Sequence, residues 1–229
     1  MIINGGYQKN EFINYLNNKS FDELSSNLKT FVKTIYPNIR KKDVVFCKKY
    51  NGVNVNIIIS VNGVEKYVAL KSGNTSVLFK SYIYVFMLKM KYLNVSTKTI
   101  SSLYKYHRGY ANNDYESFGS LLKEDFKEEI AIVKNEFENK ELLSKLIDMI
   151  LFEDKKGVKV DFFYYGNIKI GHTLSTECFK DKLLNEKDNY PHDYMRIGPF
   201  NFLPVDRKIK ADDNTLCQLR INNLYKYFK

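Results

Sequence analysis

The chain has 229 residues, with 36 Lys and Arg against 26 Asp and Glu, for a net charge of +10. A hydrophobic content of 44% with 15% aromatics excludes intrinsic disorder, and 11 Gly with 4 Pro exclude a collagen-like or linker-rich chain. No apolar run approaches the ~20 residues of a membrane span, and MIINGGYQKN lacks the basic and apolar regions of a signal peptide. Cys47, Cys178 and Cys217 are scattered and odd in number, which suits reduced thiols; the combined expectation is a cytoplasmic protein without a membrane partner.

Residues 8–18 and 20–36 read as helices. Ser20 and Glu23 stand at capping-box spacing at the start of the second, and Leu24, Leu28, Phe31, Val32 and Ile35 form its apolar stripe. The period then changes. Val44–Tyr50, Asn54–Val61 and Val64–Lys71 are β-rich, and Asn62-Gly63 between the last two is a hairpin signal, because both residues tolerate positive φ. Residues 77–93 return to a helical pattern whose aromatics Tyr82, Tyr84, Phe86 and Tyr92 read as core. A helix capped by Ser96 follows, then a loop over His107–Asp114, and then a long helical stretch over 118–152 broken once. The last third is β-rich: 160–165 and 167–172 pair about Gly166, a short helix spans 175–184, and 195–197, 200–205 and 216–227 read as strands. The fold class is α/β (α+β), as one domain over 1–229. Its parts are N-terminal helices at 1–36, a core hairpin and helix at 44–93 and a β-rich part at 160–229.

The surplus charge favours an anionic partner, nucleic acid or a membrane surface. Because five Arg accompany many Lys, the charge suits phosphate contacts better than bidentate guanine reading. Lys48 and Lys49 at a strand end, and His107 with Arg108 in a Gly/Asn-rich segment, are the candidate phosphate contacts. A two-residue turn at Asn62-Gly63 pairs Val61 with Val64, and the same register pairs Asn56 with Ala69 and Asn54 with Lys71. Those four share one face, while Val55, Ile57, Ile59, Val68 and Leu70 make the core face.

A lysine flanked by polar residues at the end of a buried hairpin resembles the PD-(D/E)xK nuclease superfamily, in which one strand carries an Asp and the next carries (D/E)-x-Lys. A narrower group, bacterial proteins similar to type II restriction endonucleases, is resembled by NIIISVNGVEKYVALKSGNTSVLFK (56–80), YKYHRGYANN (104–113), LIDMIL (146–151), VDFFYYG (160–166), MRIGPFNFLPVDR (195–207) and CQLRINNLYKYF (217–228). The resemblance spans roughly 40–229 and implies a restriction-endonuclease-like central mixed sheet flanked by helices, with double-stranded DNA as partner; a homodimer is the candidate assembly. It also implies Mg²⁺ held by carboxylates and a lysine that orients the nucleophile. Lys71 falls on the lysine position and Asn56 on the Asp position.

The chain departs from the pattern where the metal would sit. Asn56 is neutral, Ala69 stands two before the lysine, and Leu78 and Lys80 replace a later His and acid. Glu65 lies six residues from Lys71, roughly 20 Å at ~3.3 Å per residue. Glu23, or else Glu11, is left to supply an acid from the N-terminal helices. The catalytic set is therefore Lys71, Asn56 and Glu23, with Asn56 and Glu23 as metal ligands if the protein is active. Three functions stay open: a Mg²⁺-dependent DNA endonuclease, a DNA-binding descendant without cleavage, and an interaction module that does not bind nucleic acid. The C-terminal Tyr225, Lys226, Tyr227 and Lys229 either stack on nucleic acid or form a solvated strand end.

Overall fold

The computed structural model describes residues 5–71, 77–112, 126–154, 157–186, 195–205 and 215–229. In chain order its elements are α1 (Gly5–Leu16), β1 (Lys19–Ser20), a 3₁₀ turn (Phe21–Glu23), α2 (Ser26–Ile35), β2 (Val44–Lys49), β3 (Ile57–Val61), β4 (Val64–Lys71), β5 (Val77–Tyr82), α3 (Ile83–Tyr92) and α4 (Thr97–Asn112). There follow α5 (Lys127–Phe137), α6 (Lys140–Ile147), a π-helical turn (Asp148–Phe152), β6 (Phe162–Gly166), β7 (Gly171–Ser175), α7 (Thr176–Leu184), β8 (Arg196–Ile197), β9 (Phe200–Pro204), β10 (Leu216–Arg220) and a 3₁₀ turn (Leu224–Phe228). Helices with a mixed sheet make this an α/β fold. Among the described residues no helix is long and apolar enough to cross a membrane.

The chain divides into two units, each built from separated segments: 1–75, 151–182 and 223–229 in the first, 76–150 and 183–222 in the second. The first holds a six-stranded sheet in the order β1-β2-β3-β4-β6-β7. Every pairing in it is antiparallel except β4 with β6. Asn62 and Gly63 take φ values of 50° and 79°, the two positive values of a type I′ turn, and Val61 pairs with Val64 as the dipeptide predicts. One face of this sheet is covered by α1 and α2: Phe12, Leu16, Leu28, Phe31 and Val32 pack on Val45, Cys47, Ile57, Ile59, Val68 and Leu70. On the other face Phe163 meets Phe152 at 5.4 Å and Phe179 at 4.9 Å between ring centroids. A sheet buried on both faces explains why Ile57, Ile58 and Ile59 are consecutive and all buried.

The second unit holds an antiparallel sheet in the order β5-β10-β9-β8, with β10 inside and β5 at an edge. Phe86 and Phe202 stack at 5.5 Å within it, and Ile83, Met87 and Met90 join the buried set.

Several local expectations change. The stretch 20–36 is not one helix: Ser20 closes β1, Glu23 ends a 3₁₀ turn, and Leu24 and Ser25 are extended before α2 begins. Residues 77–82 are strand rather than helix, because Val77–Tyr82 pairs with Leu216–Arg220. His107–Asn112 lies inside α4 rather than in a loop; Asn113 and Asp114 lie outside the described residues. The helical stretch after 118, of which 118–125 lies outside the described residues, breaks at Asn139. That side chain caps α6 by accepting from the N–H groups of Glu141 and Leu142 at 3.0 and 3.1 Å. Strand β7 starts at Gly171 rather than Asn167, because Asn167 closes a turn by accepting from Lys169 and Ile170. The last strand stops at Arg220, and Leu224–Phe228 is a 3₁₀ turn. Of the four aromatics expected in the core near 82–92 only Phe86 is buried.

Candidate functional site

The lysine end of the first unit's sheet is where β3 begins and β4 ends. Lys49 pairs with Ile57, Ile57 with Val68, and Lys71 with Tyr165 across the parallel ladder. The expected register stops here. The Asn56 N–H donates to Val68 O at 2.9 Å, the residue that Ile57 already faces, so the strand is out of step by one and Asn56 does not sit opposite Ala69. The Asn56 carboxamide compensates: its Oδ1 accepts from the Leu70 N–H at 2.6 Å. The side chain thus replaces the backbone partner that the slipped strand withholds from β4.

Asn54 leaves the ladder altogether, so its expected pairing with Lys71 is not made. It is buried, its amide donates to Glu153 O at 2.8 Å, and its backbone N–H approaches Asp154 Oδ2 at 3.3 Å. The Val55 N–H approaches the same oxygen at 3.4 Å. Asp154 is itself buried and anchors the β2–β3 connection; a Cβ on Gly52 would stand 1.9 Å from its Oδ2, so a side chain there would displace the Asp154 carboxylate. Sequence reasoning missed Asp154, which follows an apolar run with no motif around it. Its one signal is its place as the second of two acids, Glu153 and Asp154, directly beyond LIDMILF.

Ala69 is fully buried and pairs with Phe163. Lys71 is half-buried. Burial first, and the charge of Lys9 second, hold its ammonium below the usual lysine range. Lys9 on α1 is lowered by the same two causes, its burial and the charge of Lys49. Helix α1 is tied at its C-terminal end to the start of β2, through Asn18 N–H to Val45 O at 2.9 Å and Cys47 N–H to Asn17 Oδ1 at 3.1 Å. Its other end therefore carries Lys9 toward Lys49 and Lys71. Glu11, half-buried, is two residues from Lys9 and about 200° further round the same helix.

Glu23 is not part of this site. Its carboxylate accepts from the Ser20 N–H and Oγ–H, both at 2.7 Å, and these bonds hold its pKa below the ordinary value. Ser20 faces Val44, at the end of the sheet where Val61 and Val64 turn. Lys71 is seven residues further along β4 than Val64, roughly 20 Å at ~3.3 Å per residue. Asn56 and Glu23 thus lie at opposite ends of the sheet, and the expected Mg²⁺ ligand pair does not fit one ion. Among the described residues no group of three or more His, Cys, Asp or Glu is placed to hold a metal.

Of the expected phosphate contacts, Lys48 and Lys49 are exposed on opposite faces of β2, and Lys48 pairs with Glu65 at 2.6 Å. His107 belongs to the second unit and is only 1% exposed; its Nε2 lies 3.4 Å from Leu216 O and its ring packs near Phe202. Burial and then the Arg108 charge hold its pKa down, against the Leu216 carbonyl. The enclosed imidazole presents almost no surface on which a phosphate could sit. Arg108 is exposed, with its guanidinium 5.6 Å from the Tyr104 ring centroid. At the C-terminus Tyr227 is buried, and Lys182 Nζ donates to its carbonyl at 2.6 Å.

Charge separates the two units. The first carries 19 Lys and Arg against 10 Asp and Glu, a net +9; the second carries 17 against 16, a net +1. The cations are shared almost evenly, so the difference lies in acids missing from the first unit. No family model matches the chain, and comparison with curated proteins returned no match.

Proposed function

We propose that the protein binds double-stranded DNA through its first unit, with Lys9, Lys49 and Lys71 engaging phosphates at the end of the mixed sheet. The observation that carries this reading is the concentration of nearly all the net charge, +9 of +10, in the unit whose sheet end also assembles these lysines. The cations are shared almost evenly, so what distinguishes the first unit is its shortage of acids, which leaves its positive field uncancelled. Burial and a neighbouring lysine charge disfavour the ammonium forms of Lys9 and Lys71, and a phosphate backbone supplies the counter-charge that relieves both. The resemblance to restriction-endonuclease-like proteins supports the same partner. Asn56 and Ala69 serve the sheet rather than a metal, which favours binding without cleavage, as a subunit or regulator.

A Mg²⁺-dependent endonuclease is the second reading; with Asn56 and Ala69 neutral, its acid would come from Glu11 on α1, the helix that carries Lys9. A duplex titration over a range of salt, run beside plasmid cleavage with Mg²⁺, tests both. Binding should weaken with a log–log slope of about −0.9 per phosphate neutralised, with the plasmid left intact. Cleavage abolished by Lys71→Ala and by Glu11→Gln would establish the second reading instead. Absence of binding at low salt would overturn both and leave an interaction module that does not use nucleic acid.

A further inference from the structure

The edge strand β5 and helix α3 of the second unit present large side chains that the core does not use. Tyr82 is 48% exposed, Tyr84 41%, Leu88 58% and Tyr92 82%. Tyr84, Leu88 and Tyr92 recur every four residues and form one stripe along α3, while Ile83, Phe86, Met87 and Met90 turn the other side of the helix into the core. The Tyr82 and Tyr84 rings are already stacked on each other, 5.9 Å apart with their planes 22° from parallel. Lys80 and Lys91 are exposed among them and Lys89 is half-buried.

The segment that carries this face is one-signed in sequence. Residues 76–113 of the second unit contain no Asp or Glu, but six Lys or Arg and six Tyr; the acids that reach the segment do so beyond α3, Glu136 at Ser96 and Glu129 at Lys105. The rest of the second unit, 114–150 and 183–222, holds all 16 of its acids against 11 bases. The unit is close to neutral although its acids are confined to some of its segments, and the exposed tyrosines lie on the segment without them.

We propose that the β5–α3 face binds an unpaired DNA strand, its bases stacking on Tyr82, Tyr84 and Tyr92 and its phosphates meeting Lys80, Lys89 and Lys91. Exposed tyrosine rings are flat, stiff platforms that suit bases free to leave a stack; duplex bases are already stacked on one another. A second copy of the chain would bring the same positive field against this face. A lipid surface would find one aliphatic anchor, Leu88, in a ten-residue helix. DNA rather than RNA rests on the reading of the first unit as DNA-binding; the stacking surface itself does not.

The test uses the full chain, fluorescein-labelled oligothymidine of about 12 nucleotides, an abasic strand and a duplex of equal length, and oligouridine. Because the chain has no Trp but 18 Tyr, the quenching of tyrosine fluorescence that the parent shows and the alanine variant lacks reports stacking on the three rings. The variant Tyr82→Ala/Tyr84→Ala/Tyr92→Ala should lose at least tenfold in oligothymidine affinity and keep its duplex affinity. The triple Tyr→Phe variant should bind like the parent, and the abasic strand should bind the parent as weakly as oligothymidine binds the alanine variant. Lys71→Ala should do the reverse, weakening duplex binding and leaving oligothymidine, so failure of the two readings is told apart. Equal oligothymidine binding by the alanine variant and the parent would overturn the proposal. So would tighter binding of oligouridine, or a dimer or binding to anionic vesicles that depends on the three tyrosines.

Discussion

The Asn56–Leu70 hydrogen bond separates a structural asparagine from a degenerate catalytic one. Asn56→Ala deletes the acceptor, 2.6 Å from the Leu70 N–H, and the slipped strand has no backbone carbonyl to offer in its place. Leu70 is 8% exposed, so water is a poor substitute. Leaving one buried donor unsatisfied costs about 1–3 kcal/mol, a change of roughly 5- to 150-fold in the local opening equilibrium. Amide hydrogen exchange resolved at Leu70 reads this without assuming that the two units unfold together. Exchange should quicken by that factor in Asn56→Ala and spread to its neighbours at the end of β4. Asn56→Asp keeps the acceptor and makes the bond charge-assisted beside Lys71, so protection should be kept or increased. An alanine variant with unchanged Leu70 protection would refute the argument and return Asn56 to the candidate catalytic residues.

Lys71→Met should raise the melting temperature of the free protein near neutral pH while weakening duplex binding. The Lys71 ammonium pKa lies below its unfolded value, so between the two the unfolded state holds more protons, and wild-type stability rises with pH through that window. The advantage of the methionine variant should therefore shrink as pH climbs toward the ordinary lysine value, and an advantage that grows would refute the sign. In thiol titration Cys178 alone should react in the native protein. Cys47 and Cys217 are buried, with thiols pushed up to about 12 by burial, and should appear only on unfolding.

The sequence was most legible where neighbours decide the structure. Asn62-Gly63 specified its turn and the Val61–Val64 pair through two positive φ values, and the stripe Leu24–Ile35 is buried throughout. It was least legible where a distant segment decides. Val77–Tyr82 has the composition of the helix that follows it and becomes strand only because Leu216–Arg220, far along the chain, lies beside it. Asn56 was placed one position wrong because nothing local marks a slip between β3 and β4. Glu23 was drawn into the site by its residue type, although the pairing of β1 with β2 carries it to the far end of the sheet. His107 carried polar neighbours in sequence but is enclosed by β9 and β10, which periodicity within α4 cannot reveal. For the tyrosines of α3, hydrophobic spacing marks both faces of the helix, and only packing shows which face is inside.

The interleaving of the two units bears on how the chain is made. The first unit cannot close its parallel β4–β6 pair until the 90 residues between Lys71 and Phe162 have been synthesised, roughly 5–20 s at ordinary translation rates. The second cannot close its sheet until β10, its inner strand, has been made at 216–220, and the first still awaits 223–229 after that. Neither unit is therefore complete before the chain has passed residue 216. No single cut in the chain releases either one whole, and a stop codon just ahead of Leu216 removes the strand that β5 and β9 share. An intact isolated unit therefore needs its segments rejoined by design; shortening the chain from either end leaves a sheet without a partner.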